Sequence, residues 1–352
     1  MTLPCWGREA DTRVMTDSVL PPDHALDQGI PWHFGDPLRE QRYLLNGSAY
    51  ADLSNRGVVT ISGADRLSWL NDLSTALVLD LEPGEPRTSL LLDPKGHVEH
   101  ELHVVDDGNT TWLITAPGVG GKLVEYLTSM QFLLRVEVSD RTEDCAVIGS
   151  LSGEPPASAW AIWRAPGEFS GQGVTPAGSD RGGDPGKYVP QRPDIFAAVE
   201  AIIPRQELAP TLAERPHRAG TWAWEALRIA AAVPRADADT DNRSLPHELG
   251  WIGSAVHLAK GCYRGQEAVA RTHNMGRPPR RLVLLHLDGS AERLPEPGSR
   301  VLVDEKDVGW VGSAALHYEL GPIALATVKR RTDPAAELQV SGIAARQEPV
   351  VV

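Results

Sequence analysis

The residues best suited to chemistry lie in one run, Lys260-Gly261-Cys262-Tyr263-Arg264-Gly265-Gln266-Glu267. Cys262 stands between two cations, Lys260 and Arg264, on a turn flanked by glycines. Ala268 to Arg271 favour a helix, so the thiol is predicted near the positive end of a helix dipole. These influences favour the thiolate, which is the nucleophilic and metal-binding form of cysteine. The run therefore predicts a reactive thiol, and the alternative is a buried, structural cysteine.

The same run, with Ala270 and Arg271 after it, resembles the signature of the YgfZ folate-binding proteins, which are relatives of the glycine-cleavage T protein. Segments upstream resemble other parts of that family and follow its order: Leu53 to Gly57, Ile61 to Arg66, Leu227 to Ile229, Val233 to Arg235 and Pro246 to Glu248. The resemblance covers most of residues 45 to 285, and the eight-residue signature is its specific part.

This resemblance implies an α+β fold of the GcvT/YgfZ type, with two ferredoxin-like α+β domains around a central channel and a carboxy-terminal β-barrel. It also implies that the channel holds tetrahydrofolate or a derivative, and that Cys262 is the functional thiol. Lys260 and Arg264 are expected to favour the thiolate, and Tyr263 to pack on the ligand or its entrance. The remaining motif residues are expected to shape the turn and its helix: Gly261, Gly265, Gln266, Glu267 and Arg271.

The resemblance further indicates which side chains contact the folate. In the T protein a matching strand carries adjacent aspartates, one of which serves aminomethyl transfer to tetrahydrofolate. His100 and Glu101 occupy that place here, so Glu101 is predicted as a carboxylate base. Relatives often have a carboxylate in the helix around Arg228, where this chain has alanines. Arg228 is itself a predicted contact, and Glu225 or Glu248 is predicted to accept the pterin N–H groups instead.

The resemblance implies two alternative functions. The first is a folate-binding accessory protein that supports iron–sulfur cluster assembly or repair in client enzymes, with those clients or assembly factors as partners. The alternative is a tetrahydrofolate-dependent aminomethyl- or methyltransferase, which would depend on Glu101. The three cysteines, Cys5, Cys145 and Cys262, include no Cys-x-x-Cys pair, so a cluster contact would be transient and shared with a partner. An odd, scattered set of cysteines also predicts a reducing cytoplasm.

Composition is that of a globular protein, with 352 residues, 41% apolar and 23% charged. The formal net charge of -13 argues against stable nucleic-acid binding and against anionic membranes. No apolar run is long enough to span a bilayer, so no membrane contact is predicted. Residues 260 to 281 nevertheless hold six cations and one acid. This basic segment suits a small anionic ligand, and a solvated surface is the alternative.

The spacing of apolar residues and the positions of turn residues predict the strands and helices that must position the candidate site. The amino-terminal half alternates strands and helices: Gly57 to Ile61 (strand), Asp65 to Leu77 (helix), Ser89 to Leu92 and Val98 to Val105 (hairpin), Thr111 to Thr115 (strand), Lys122 to Met130 (helix), Arg135 to Ser139 and Cys145 to Leu151 (extended). Residues 166 to 188 are predicted to form a glycine-rich loop, and Pro193 to Ala232 to be mostly helical. Short β-type runs after Arg281 indicate a small barrel or sandwich.

Four segments are predicted from these patterns. Residues 1 to 44 are expected to be extended or poorly ordered, and residues 45 to 145 to form the first α+β domain. Residues 146 to 280 form the second, which carries the cysteine motif, and residues 281 to 352 form the barrel.

One further pattern contains the residue types of a metal site. His97, Glu99, Glu101 and His103 alternate along one predicted strand and so would share a face. Same-face neighbours on a strand lie roughly 6.5 to 7 Å apart, which is too far for several of them to reach one ion. A solvated strand face is therefore predicted, and no metal site.

Overall fold

The computed structural model describes residues 18–22, 25–165, 196–275, 277–291 and 293–351. Its strands are β1 (Ala51–Asp52), β2 (Gly57–Ser62), β3 (Pro86–Leu92), β4 (Val98–Asp106), β5 (Thr110–Thr115), β6 (Glu137–Asp140), β7 (Cys145–Ser150), β8 (Ala161–Arg164), β9 (Val199–Pro204), β10 (Arg280–Leu287), β11 (Arg300–Val303), β12 (Lys306–His317), β13 (Gly321–Lys329), β14 (Leu338–Val340) and β15 (Ile343–Pro349). Its α-helices are α1 (Pro37–Leu45), α2 (Arg66–Leu73), α3 (Gly120–Ser129), α4 (Leu208–Leu212), α5 (Thr221–Ala230), α6 (Ala236–Asp239), α7 (Pro246–Leu249) and α8 (Gln266–Met275).

The first sheet has five antiparallel strands in the order β3-β4-β5-β2-β6. Helices α2 and α3 cover one face, where Leu70 and Leu123 pack into a core with Leu102 and Leu113 of the sheet. Alternating apolar residues along β4 and β5 bury this face because side chains of a strand point to its two sides in turn. The predicted strands and helices between residues 57 and 151 are confirmed, although α2 ends four residues before the predicted Leu77.

The second sheet has four strands in the order β1-β7-β9-β8. Its strand β9 corrects the prediction of a mostly helical segment from Pro193 to Ala232. Val199 to Ile203 are buried, and β9 pairs on both sides, with β7 and β8. A strand buried on both faces loses the apolar-polar alternation that distinguishes it from a helix. Helix α5 confirms the helical prediction later in this segment. The predicted loop of residues 166 to 188 lies outside the described residues.

The carboxy-terminal strands close into a six-stranded barrel in the order β10-β13-β12-β11-β14-β15. Closure follows because β10 pairs with both β13 and β15. The predicted α+β class with a carboxy-terminal barrel is therefore confirmed. The four-segment division stays a prediction, and the pairing of Ala51 with Gly149 shows that the second sheet takes a strand from the first segment.

Helix α1 corrects the prediction for residues 1 to 44, which is wrong over this helix. It begins after Asp36, whose side chain accepts the Arg39 backbone N–H at 3.0 Å, the contact that favours aspartate before a helix. Leu44 is fully buried, and Gln41 donates to the Leu316 carbonyl of β12 at 2.9 Å. The helix thus packs against the barrel. Among the described helices, none has the length and apolar character needed to cross a membrane.

Candidate functional site

The cysteine motif forms a turn, residues 260 to 265, that lies on the hairpin between β3 and β4. Gly265 has φ +83, and a Cβ there would lie 2.6 Å from the Asp93 carbonyl oxygen and 3.1 Å from the Gly96 Cα. Gly96 also has a positive φ, and a Cβ on it would lie 2.9 Å from the Cβ of Ala268. Both positions require glycine, for conformation and for space. Gly261 has nothing within 4 Å of such a Cβ, so packing does not require it.

Cys262 is an exposed free thiol at the tip of this turn. The alternative of a buried, structural cysteine is therefore wrong for this residue. The side-chain amide of Gln266 donates to the carbonyls of Lys260 and Gly261, each at 3.3 Å, and closes the turn below the thiol. Cys145, by contrast, is buried in β7, and burial raises its pKa to about 11.

Lys260 points away from the solvent and into the first sheet's helical layer. Its ammonium group donates to the carbonyls of Asn71 at 2.5 Å, Ser74 at 2.7 Å and Ala76 at 2.6 Å. Burial lowers the pKa of Lys260 to about 8. All three of its hydrogens are used, because an ammonium has three donors. Its contacts therefore correct the prediction of a cation acting on Cys262, and show an anchor that fixes the turn to the end of α2.

Arg264, the second predicted cation, also has other partners. Its guanidinium donates to Glu99 of β4 at 3.0 Å and lies 5.5 Å from the ring centre of Tyr126 on α3. Glu267 and Arg271 form an exposed pair at 3.2 Å on the first turns of α8. The motif is thus joined to the first sheet through Arg264, and its last two charged residues form a surface contact worth little energy.

Tyr263 is buried in the cluster that includes Trp251, and burial raises its pKa. Its hydroxyl has no hydrogen-bond partner among the described residues. Tyr263 does not line the cavity described below, although Trp251 does. The contact predicted between Tyr263 and a ligand therefore stays a prediction.

A bulge in β4 changes which side chains share a face. Val98 pairs with Leu92 and Glu101 pairs with Leu90, so β4 has one residue more than β3 between these pairs. Paired residues point to the same side of a sheet, so Val98 and Glu101 share a face despite their odd spacing. The predicted common face of four polar residues is therefore wrong, because Glu99 is the extra residue. No group of three or more His, Cys, Asp and Glu side chains in the described ranges is arranged to hold a metal ion.

Beyond the bulge, β4 borders a cavity between the two sheets. The cavity is partly open to solvent at its mouth. The lining is apolar on the aromatic side and charged elsewhere: Trp163, Phe196, Trp224 and Trp251, with Arg56, Glu101, His103, Glu200, Arg228, Arg235 and Asp237. Such a mixture of apolar walls and few polar groups is typical of small-molecule sites.

Two of the four predicted folate contacts, Glu101 and Arg228, line this cavity. Glu225 lies behind them, and its two oxygens accept from Arg228 at 2.7 Å and from Arg235 at 2.9 Å. Burial opposes ionisation, but these two cations outweigh it and hold the pKa of Glu225 at about 2. Its oxygens already accept from arginines, so Glu225 is corrected from a ligand contact to the counterion of the cavity's cations.

Glu248 does not make the predicted ligand contact either. It is fully buried on α7 and accepts from Arg280 of β10 at 2.8 Å, and Arg280 also donates to Asp241 at 2.6 Å. It therefore fastens the first barrel strand and does not line the cavity. The predicted basic segment is likewise corrected, because most of its cations are held by protein groups: Lys260, Arg264, Arg271, Arg280 and Arg281.

The cavity contains a charged group that the sequence did not predict. His103 Nδ1 donates to the Glu200 carboxylate at 2.8 Å, and its Nε2 lies 3.8 Å from Glu101. Glu200 also binds Arg56 at 2.8 Å, and the His103 ring stacks on Trp163 with centres 3.6 Å apart and planes 4° apart. Burial would lower the pKa of His103, but the two carboxylates raise it to about 9. In the sequence, His103 is marked only by its place in the alternating polar pattern of β4. Glu200 lies in the segment that the sequence predicts to be mostly helical, so its pairing with His103 is not predicted.

Two buried polar atoms of lining residues lack a hydrogen-bond partner among the described residues. They are the Thr88 hydroxyl and the Trp224 indole N–H. Unpartnered buried polar groups cost free energy, so they are expected to be satisfied by a polar ligand or by water in the cavity.

The comparisons with known proteins agree with this architecture. Residues 30–158 match the model of the GCVT N-terminal domain. A chloroplastic protein of Arabidopsis thaliana, named as a candidate transferase, is 26% identical over 79% of this chain and 66% of its own length. The tRNA-modifying protein YgfZ of Yersinia enterocolitica is 26% identical over 70% of this chain and 72% of its own.

A solved structure shows the same fold. The glycine cleavage system aminomethyltransferase T from Bartonella henselae superposes with a TM-score of 0.73, covering 97% of this chain and 95% of that chain at 17% identity. The predicted GcvT-like architecture is thereby confirmed. Residues 30–158 thus resemble the GCVT N-terminal domain in sequence, and the chain has the fold of the aminomethyltransferase.

Proposed function

We propose that this protein binds a reduced folate in the cavity and supports iron–sulfur cluster assembly or repair in client enzymes, with Cys262 as the functional thiol. The observation that carries the folate part is the cavity itself, with aromatic walls beside an available carboxylate. Glu101 Oε2 accepts the Ala236 backbone N–H at 3.0 Å, whereas Oε1 lies 3.8 Å from His103 and has no hydrogen bond within the part of the chain that the structure describes. That oxygen can accept an N–H of a pterin ring.

The other side chains that line the cavity are of chemical types that bind a folate. Aromatic side chains offer faces for a flat ring, and the unpartnered Thr88 hydroxyl and Trp224 N–H offer polar contacts. When bound, a reduced folate would supply a one-carbon unit or its carrier. The chain's own residues would orient the folate. Glu101 accepts an N–H of its ring, the lining arginines balance the negative charges of the cavity, and the two sheets exclude water from it.

Cys262 stands apart from this cavity and at the surface, where a partner can reach it. Motif and cavity are nevertheless close along β4, because Glu99 binds Arg264 and Glu101 lines the cavity. Two residues of strand correspond to about 7 Å. A thiol in that position can act on a partner's cluster as a transient ligand, or on a group carried by the folate.

The first experiment is calorimetric titration with tetrahydrofolate and its methylene and formyl forms. Cys262→Ala is expected to bind like the wild type, because the thiol lies outside the cavity. Glu101→Gln is expected to bind roughly 10- to 100-fold more weakly, since hydrogen bonds to a charged group are worth about 1.5 to 3 kcal/mol. Glu99→Gln is the matched control on the same strand and should keep wild-type affinity. A wild-type protein that binds none of the three forms refutes the folate assignment.

The cluster assignment has its own test. In cells that carry only Cys262→Ala, iron–sulfur enzymes are expected to lose activity while the variant keeps its folate affinity and its unfolding midpoint. Full activity of a broad set of such enzymes would contradict the role in cluster assembly or repair. A cytoplasmic location and the absence of stable nucleic-acid binding stay predictions, the latter supported by the net charge of -13.

A transferase is the second candidate. It is favoured by Glu101 beside His103 in the cavity, a carboxylate and an imidazole within reach of one ligand, and by the Arabidopsis relative named as a candidate transferase. A transferase should release a one-carbon product from tetrahydrofolate derivatives and lose this turnover in Glu101→Gln. An accessory protein should show no turnover while still binding folate.

A further inference from the structure

Three ionisable side chains from different parts of the fold converge at one wall of the cavity. His103 and Glu101 come from β4, and Glu200 comes from β9 in the other sheet. Arg56, just before β2, binds the far side of Glu200 at 2.8 Å. The carboxylates of Glu101 and Glu200 are the titratable groups that face His103, and Trp163 of β8 covers its ring. This wall joins the two sheets through charges rather than through apolar packing alone.

Two carboxylates favour a protonated imidazole. Glu200 lies 2.8 Å from Nδ1 and Glu101 lies 3.8 Å from Nε2, so each ring nitrogen has an anionic oxygen within ion-pair distance. His103 is buried between them, where the attraction between opposite charges is screened less than at the surface. The flat stacking of His103 on Trp163, at 3.6 Å and 4°, also suits a cation on an aromatic face.

The imidazole is held in one orientation. Its Nδ1 lies 2.8 Å from Glu200, and its face lies on Trp163, whose indole N–H donates to the Arg87 carbonyl at 3.0 Å. Nε2 is therefore directed to Glu101, at 3.8 Å from Oε1. This distance is an ion-pair distance and too long for a hydrogen bond, so Oε1 remains available to a ligand.

We propose that His103 is a positioning residue: an imidazolium, anchored by Glu200, that fixes the direction of the Glu101 carboxylate and supplies the positive charge beside it. Glu101 is then held from two sides, by the Ala236 backbone N–H on one oxygen and by the His103 charge near the other. The inference rests on the proposed function for the identity of the ligand only. The charge of His103 and its contacts can be tested without any ligand.

The first test is nitrogen-15 NMR of the histidine side chains in the ligand-free wild type. The His103 signals are assigned by their absence in His103→Gln. Both ring nitrogens are expected to be protonated at pH 7.5 and to titrate with a midpoint near pH 9, since the carboxylates raise the pKa of His103 to about 9. Glu200→Gln should lower this midpoint by at least one pH unit. A neutral ring at pH 7.5 in the wild type overturns the proposal.

Circular dichroism first establishes whether His103→Gln folds; if it does not, the Glu200→Gln titration shift identifies the His103 signals instead. His97→Gln is the matched control, because His97 lies at the hairpin end of β4 and binds Asp93 at 2.9 Å, outside the cavity. Its removal should leave the His103 signals unchanged.

The second test is tetrahydrofolate affinity as a function of pH. Wild-type affinity is expected to be level from pH 7 to 8 and to fall as pH rises through 9, when the imidazolium loses its proton. His103→Gln should bind about tenfold more weakly at pH 7.5 and should lack that fall. Parallel pH profiles in the two proteins overturn the positioning role. If the wild type binds no folate, the proposed function fails, and the NMR titration still decides the charge of His103.

Discussion

Gly265→Ala is expected to be the most damaging small change in the cysteine motif. The backbone at this residue has φ +83, a region in which an alanine is strained. The added Cβ would also lie 2.6 Å from the Asp93 carbonyl oxygen and 3.1 Å from the Gly96 Cα. Both are backbone atoms of the β3–β4 hairpin, so neither can move aside as a flexible side chain can.

The size of the effect follows from these two terms. Left-handed backbone costs a residue with a Cβ roughly 1 to 2 kcal/mol. Forcing an extra carbon into a filled place costs typically about 1 to 3 kcal/mol. We therefore expect the free energy of unfolding to fall by roughly 2 to 5 kcal/mol, unless the turn detaches from the hairpin. In that event Cys262 should become more reactive toward a thiol reagent while the rest of the fold keeps its stability.

Gly261→Ala is the matched control, because it makes the same change four residues earlier in the same turn. A Cβ on Gly261 would have nothing within 4 Å, so the change should stay within about 0.5 kcal/mol. Guanidinium unfolding followed by tryptophan fluorescence measures both variants, and a thiol reagent reports on Cys262. Equal stability and equal thiol reactivity of the two variants would refute the reasoning about the hairpin contact.

Two further predictions concern buried charges. Lys260→Met keeps most of the apolar stem and removes three hydrogen bonds to backbone carbonyls, so it should lower the free energy of unfolding by about 2 to 4 kcal/mol; unchanged stability with slower reaction of Cys262 would show instead that the lysine serves the thiol. Glu225 has its pKa held at about 2 against burial by Arg228 and Arg235, so its contribution to stability is full above pH 4.5 and is lost as pH falls toward 2. Unfolding between pH 2 and 6 should therefore depend more steeply on pH in the wild type than in a folded Glu225→Gln variant, and equal slopes would count against this ion pair.

Much of the fold could be predicted because its signals are local. The hairpin of β3 and β4 carries its own turn, Asp93 to Gly96, between two runs that hold apolar residues, Leu90 to Leu92 and Val98 to Val105. Strand β9 could not be predicted in the same way. Val199, Ile202 and Ile203 have a spacing that also fits a helix, and only the pairing with β7 and β8 decides between the two.

The site was predictable where a motif marks it and not where distant residues meet. Cys262 stands out by its neighbours in the sequence, but the partners of Lys260 are 184 to 189 residues away. His103 and Glu200 are 97 residues apart, so their pairing depends on how the two sheets pack. The sequence shows that Glu248 has a carboxylate but not that this carboxylate binds Arg280, a residue 32 positions later.

Strand β4 explains why the motif and the cavity belong to one arrangement. Its hairpin turn contacts Gly265, its extra residue Glu99 binds Arg264, and Glu101 then faces the cavity. Without the bulge after Val98, the strict alternation of a strand would place Glu101 and Val98 on opposite faces. If Val98 stayed in its present core cluster, Glu101 would then point to the other face of the sheet, into the apolar layer of α2 and α3. The bulge thus lets one strand contact the turn that carries the exposed thiol and also present the Glu101 carboxylate to the cavity.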